Sequence, residues 1–145
     1  MFQGEFMNTT NSNFLDVCVL EWCKLFGDKR GTHYWGKTIA DQPIFFAGLL
    51  KSIDLTAAEF DAYIVEMRVY RDKFVAHLDT EDVMHIPRLR VARRSVIFLY
   101  TYLLANEQVA NCFHDAPENG SSYYIQSLRQ GVRGYRSSTP GMVNG

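Results

Sequence analysis

Between Asn13 and Phe26 only Asp16, Glu21 and Lys24 place charge in an otherwise mostly apolar run, which predicts a helix with a narrow wet stripe, buried on most sides. Residues 27–33, GDKRGTH, break that pattern with two glycines and charge, as a helix C-cap and loop do. Ile39 to Ile53 predicts a second helix, with Pro43 near its first turn and Ile44, Phe45, Phe46, Leu49 and Leu50 available for packing. The third helix is the clearest. Thr56 with Glu59 makes a capping box, and Phe60, Tyr63, Ile64, Met67, Tyr70, Phe74 and Leu78 follow at helical spacing. Residues 79–87, DTEDVMHIP, read as a connection, and Leu89 to Asn106 predicts a fourth helix. Beyond Asp115 the apolar periodicity fades. Tyr123 to Leu128 suffices for a short helix, and the end, GVRGYRSSTPGMVNG, is rich enough in Gly, Ser and Arg to predict disorder. No segment alternates as a strand would, and no repeat is present.

These elements imply a mostly helical chain, and 145 residues suit one domain with one core. The opening MFQGEFM lacks a basic n-region and a long apolar h-region, so residues 1–12 read as a leader or cloning remnant, with a natural start at Met7. The helical domain is expected over 13–115, followed by a largely flexible extension over 116–145. Val96 to Ala105, the longest apolar stretch, falls short of the ~20 residues that span a bilayer, so no membrane partner is expected. Cys18, Cys23 and Cys112 are odd in number and lack CxxC spacing, which fits reduced thiols in a cytoplasmic protein and neither a disulfide nor a zinc site.

Charge changes the picture only in its distribution. The net charge is -1, yet residues 1–67 carry five basic and nine acidic side chains, and residues 68–145 carry ten and seven. A polyanionic partner should meet the second half.

The candidate chemistry lies between Arg71 and His77. At 100° per residue the apolar arc of the third helix centres near Met67, and Arg71 falls inside it. A guanidinium stays charged, so a packed position demands a carboxylate partner, a wet cleft or a bound anion. Snorkelling or a structural ion pair is the plainer of these readings. His77 sits six residues on, roughly 9 Å along the axis and about 120° around, on the side of Tyr70 and Lys73. Arg71 and His77 therefore converge only through a local break near Ala76 or across a symmetric interface.

The run YRDKFVAHLD, residues 70–79, resembles the Arg-x(4–6)-His signature of HEPN domains, with the abortive-infection type as the closest flavour. The likeness in pattern extends from about Asn13 to Asn106. It implies an all-α, four- to five-helix up-and-down bundle that forms a homodimer, with two motifs facing each other in a composite cleft. Many such domains are metal-independent ribonucleases. Carried onto this chain, Arg71 would bind and polarise the scissile phosphate, His77 would act as general base or acid, and Asp72 would orient one of them. The residue types suit that task, because histidine exchanges a proton near neutral pH and arginine offers a planar fork to growing phosphate charge. The ribose 2′-OH would be the nucleophile, so RNA and not DNA is the expected substrate. No metal and no cofactor is implied. The resemblance also suggests a bacterial phage-defence or toxin-antitoxin setting with an antitoxin-like protein partner. Leu78 and Asp79 stand where some toxin members carry a modified tyrosine, and the family includes non-catalytic modules that bind nucleotide, RNA or protein.

Further residues suit RNA binding. Lys73 adjoins the motif, and Arg88, Arg90, Arg93 and Arg94 cluster where the fourth helix starts, the last three on one side. Cationic charge at a helix N-terminus opposes the macrodipole and so asks for an anion, although Glu81 and Asp82 can neutralise the same face. His85 adjoins them in the loop. GTHYWGK combines an imidazole, two aromatics and a cation, His33, Tyr34, Trp35 and Lys37, a set suited to stacking on a base or covering the cleft, with bundle packing the plainer role for Trp35. Arg129, Arg133, Tyr135 and Arg136 resemble a sparse arginine-aromatic segment and fit a solvated tail. No Gly-rich phosphate loop, HExxH or GxSxG supports another enzyme class.

Overall fold

The computed structural model describes residues 13–75, 86–106, 115 and 117–138, and these contain helix and turn with no strand. The described protein is all-α, with five helices. Helix α1 covers residues 13–22 and runs on into a π-helical turn, Cys23–Gly27. Helix α2 is Gln42–Ile53, and α3 is Ala57–Tyr70, extended by a second π-helical turn, Arg71–Val75. Helix α4 is Leu89–Asn106 and α5 is Gly120–Ser138. The chain divides into two compact units between Leu99 and Tyr100, within α4 and upstream of the expected boundary at 115.

Local chemistry sets the helix limits. The Asp41 carboxylate accepts the Ile44 amide at 3.0 Å and Pro43 fits the first turn, so α2 starts at Gln42 and not at Ile39. It stops at Asp54, whose left-handed backbone (φ 60°) lets its own N–H reach Leu50 O. Helix α3 carries the expected capping box: Thr56 Oγ1 accepts from the Glu59 amide at 3.3 Å, and Glu59 Oε2 accepts from the Thr56 amide at 2.7 Å.

An aromatic core joins the helices of the first unit. Trp22 stacks on Phe26 at 5.1 Å and meets Tyr63 edge-on at 5.3 Å, while Trp35 lies 4.6 Å from Phe45. Phe45 in turn packs on Phe98 of α4 at 5.4 Å, and Gly48 makes room for that ring, since a Cβ there would stand 2.7 Å from Phe98 Cζ. The Trp22 indole donates to the fully buried Ser95 hydroxyl at 2.8 Å, which donates to Ala92 O at 2.8 Å, so this deep polar group is satisfied.

Two further expectations need correction. Helix α1 is not buried on most sides: Phe14 is 67% exposed and Val17 54%, because only the stripe Val19, Trp22, Cys23 and Phe26 faces the core. The helix expected at 123–128 is longer than that, since α5 runs from Gly120 to Ser138, into the stretch whose composition predicted disorder. Within the second unit the Asn119 side chain caps α5 by accepting the Ser122 amide at 3.0 Å, and the Tyr100 hydroxyl donates to Pro117 O.

Candidate functional site around Arg71

Helix α3 passes into its π-helical turn at Arg71, and widened turns of this kind occur often at functional sites. The side chain is only 18% exposed and lies between two carboxylates. Its Nη1 donates to Asp28 Oδ1 at 2.8 Å and its Nε to Asp72 Oδ1 at 2.8 Å. Asp28 is held in place as the cap of the first π-helical turn, where its amide donates to Cys23 O at 2.9 Å. Of the readings open to this arginine, the described structure shows the carboxylate ion pair.

The electrostatics follow from that geometry. The hydrogen bond to Asp72 pushes the Arg71 pKa up, partial burial opposes it, and Asp28 adds to the rise. Nearby, burial pushes the Cys23 thiol up to about 11, partly countered by the Arg71 charge. Tyr70, next in the chain to Arg71, donates to Asp16 at 3.0 Å; burial and that hydrogen bond push its hydroxyl up to about 12. Tyr70 and Arg71 thus fasten α3 to α1 and to the residue that caps α1's π-helical turn. The two named carboxylate contacts use two of the five guanidinium N–H donors, which leaves others suited to an oxyanion.

The remaining candidates are only partly gathered. Asp72 is exposed and oriented onto Arg71, and Lys73 is half-buried beside it. His77 and His85 lie outside the described residues, as do Glu81 and Asp82. Arg88, Arg90 and Arg93 are exposed and Arg94 is half-buried. Their end of α4 is pinned to α3 where the Tyr63 hydroxyl donates to Arg88 O at 2.9 Å, about 12 Å along the helix axis before Arg71. Trp35 is core, stacked parallel to Phe46, and is not a base-stacking platform, whereas His33 and Lys37 are exposed. Asp28 is the site residue that sequence reasoning missed: nothing in GDKRGTH marks one loop carboxylate as the partner of an arginine 43 positions away.

In the second unit Arg129 and Arg133 lie with Ser122, Ile125, Gln126 and Gln130 along one exposed side of α5. Among the described residues no helix is long and apolar enough to cross a membrane, and no three side chains group to hold a metal ion. Compared with known proteins, the chain matches no family model, no curated protein and no solved structure.

Proposed function

We propose that this chain is a HEPN-like, metal-independent ribonuclease that acts through a composite site of Arg71 and His77 at a homodimer interface, in bacterial phage defence or a toxin-antitoxin system. One observation carries the reading: a guanidinium oriented by Asp72 at the break between α3 and its π-helical turn, six residues before a histidine. Arg71 binds the non-bridging phosphate oxygens through the N–H groups its carboxylates leave over. His77 takes the proton of the ribose 2′-OH, which attacks phosphorus and expels the 5′-oxygen. The departing oxygen takes up a proton, and the products are a cyclic phosphate and a free 5′-OH. Lys73, Arg88, Arg90, Arg93 and Arg94 hold the RNA backbone.

A second reading has its own support in the 2.8 Å contact between Arg71 and Asp28, which already neutralises the fork within one subunit. In that case the domain is a non-catalytic HEPN-like module that binds nucleotide, RNA or protein. The test incubates the protein and its Arg71→Ala and His77→Ala variants with single-stranded RNA in EDTA. Cleavage lost in both variants supports the ribonuclease. Binding without cleavage, lost only in Arg71→Ala, supports the module, and no effect on RNA removes both nucleic-acid roles.

A further inference from the structure

The connection between α1 and α2 begins with a tight turn beside Arg71. The Asp28 amide donates to Cys23 O at 2.9 Å and the Gly31 amide donates to Asp28 O at 2.7 Å, so the turn is fixed at both ends. Asp28 and Gly31 are its first and last residues, and Lys29 and Arg30, at its two corners, are both exposed. Arg68 reaches the same place from α3, one helical turn before Arg71. A Cβ added at Gly27 would stand 3.5 Å from Arg68 Cγ, and the charges of Arg68 and Arg71 both pull down on the Cys23 thiol pKa. Among the described residues none of Lys29, Arg30 and Arg68 is in an ion pair. We propose that Lys29, Arg30 and Arg68 form a second phosphate-binding subsite, which takes the backbone of a single-stranded RNA next to the phosphate held by Arg71. The inference rests on the RNA reading of Arg71 and adds the surface that the strand crosses as it leaves that residue.

Charge balance is the reason the site needs such a subsite. Arg71 lies between Asp28 and Asp72, so the three groups together carry one negative charge, and Lys73 brings that sum only to zero. A phosphodiester gains nothing from that balance unless further cations stand within the screening distance, about 8 Å at physiological salt. The α4 arginines do not fill the role, because their end of the helix meets α3 about 12 Å before Arg71. Lys29 directly follows Asp28 in the chain, and consecutive Cα atoms lie about 3.8 Å apart, so the turn sets its two cations beside the carboxylate that occupies the fork. With Arg68 they bring the local sum to three positive charges. The fixed backbone of the turn also lowers the ordering cost of binding. A protein partner is disfavoured, since a protein interface is anchored by buried apolar and aromatic side chains and residues 28–33, DKRGTH, supply none. Separate cations with no apolar anchor match the repeated single charges of a phosphodiester strand.

The test uses the full chain and a fluorescein-labelled 2′-O-methyl oligouridine, which keeps the RNA backbone and lacks the attacking hydroxyl. In anisotropy titrations over a range of KCl concentrations, Lys29→Gln, Arg30→Gln and Arg68→Gln should each weaken binding severalfold at low salt. Each should also make the slope of log Kd against log salt shallower by roughly 0.7, the value for one single-strand phosphate contact, and the triple variant by roughly 2. Lys51→Gln, which removes an exposed cation on α2, should leave the slope unchanged. The urea midpoint should hold in every variant, so that lost folding does not imitate lost contacts. An unchanged slope in the triple variant, with binding still abolished by Arg71→Ala, would overturn the subsite and leave the RNA reading of Arg71 standing. No binding by the wild type would overturn both. An equal loss in Lys51→Gln would also sink the subsite, because net charge and not position would then set the affinity. So would displacement of the RNA by poly-glutamate as readily as by unlabelled oligouridine, which would make an acidic protein segment the occupant.

Discussion

Arg71 Nη1 and Asp28 Oδ1 lie 2.8 Å apart and join the π-helical extension of α3 to the cap of the π-helical turn that follows α1. The contact braces the first unit, and it also competes for any phosphate that would use the same fork. Asp28 is 38% exposed in its side chain, so water can replace it on the guanidinium at modest cost.

Asp28→Asn separates those two roles. Stability in urea should fall by up to about 1 kcal/mol, an amount discounted for solvent screening. If the fork serves RNA, affinity for a labelled single-stranded oligonucleotide should rise severalfold in a fluorescence anisotropy titration. Lower stability with unchanged RNA affinity would leave the contact a brace alone.

Ser95→Ala removes the acceptor of the Trp22 indole N–H inside the core. The stranded donor should cost roughly 1–3 kcal/mol in a denaturation curve, and Trp22 emission should shift. A loss near zero would mean that another acceptor or water reaches the indole.

Asp54→Gly should stabilise the protein by roughly 0.5–1 kcal/mol, because the helix stop needs a left-handed backbone that glycine adopts without strain. Asp54→Val, which keeps a Cβ and branches it, should lower the melting temperature. Equal melting temperatures for the two variants would show that the α2 terminus relaxes to another conformation.

Alkaline pH should expose the buried thiol. Cys23 keeps its proton up to about pH 11 in the folded state, whereas an unfolded thiol loses it near pH 8.5. The folded pKa is the higher one, so this contribution is fully present below about pH 8.5 and is lost as the pH rises toward 11. In a Cys112→Ser variant at pH 8, Ellman's reagent should label exposed Cys18 and reach Cys23 only in denaturant. Equal labelling of both thiols in the native protein would contradict the burial of Cys23.

The sequence by itself determined whatever depends on neighbours within a turn or two of helix. Thr56 and Glu59 are three residues apart, so their capping box was readable, and so was α4, where the predicted and observed limits coincide at Leu89 and Asn106. The placement of Arg71 inside the apolar arc of α3 is equally local, since rotation per residue fixes it. In α5 only the stretch from Tyr123 to Leu128 was read as helix, because glycine- and serine-rich composition beyond it pointed toward flexible chain.

Only the tertiary structure decided which surface each helix buries and which charge meets Arg71. Phe14 and Val17 are as apolar as Val19, yet they face water because the core takes one stripe of α1. Asp28 was one carboxylate among sixteen acidic residues until the helix crossing brought it to the guanidinium. Rotation along a helix is set by bonds between near neighbours, whereas a partner 43 residues away is set by the packing of Trp22, Phe26, Phe60 and Tyr63, which orients α1 against α3.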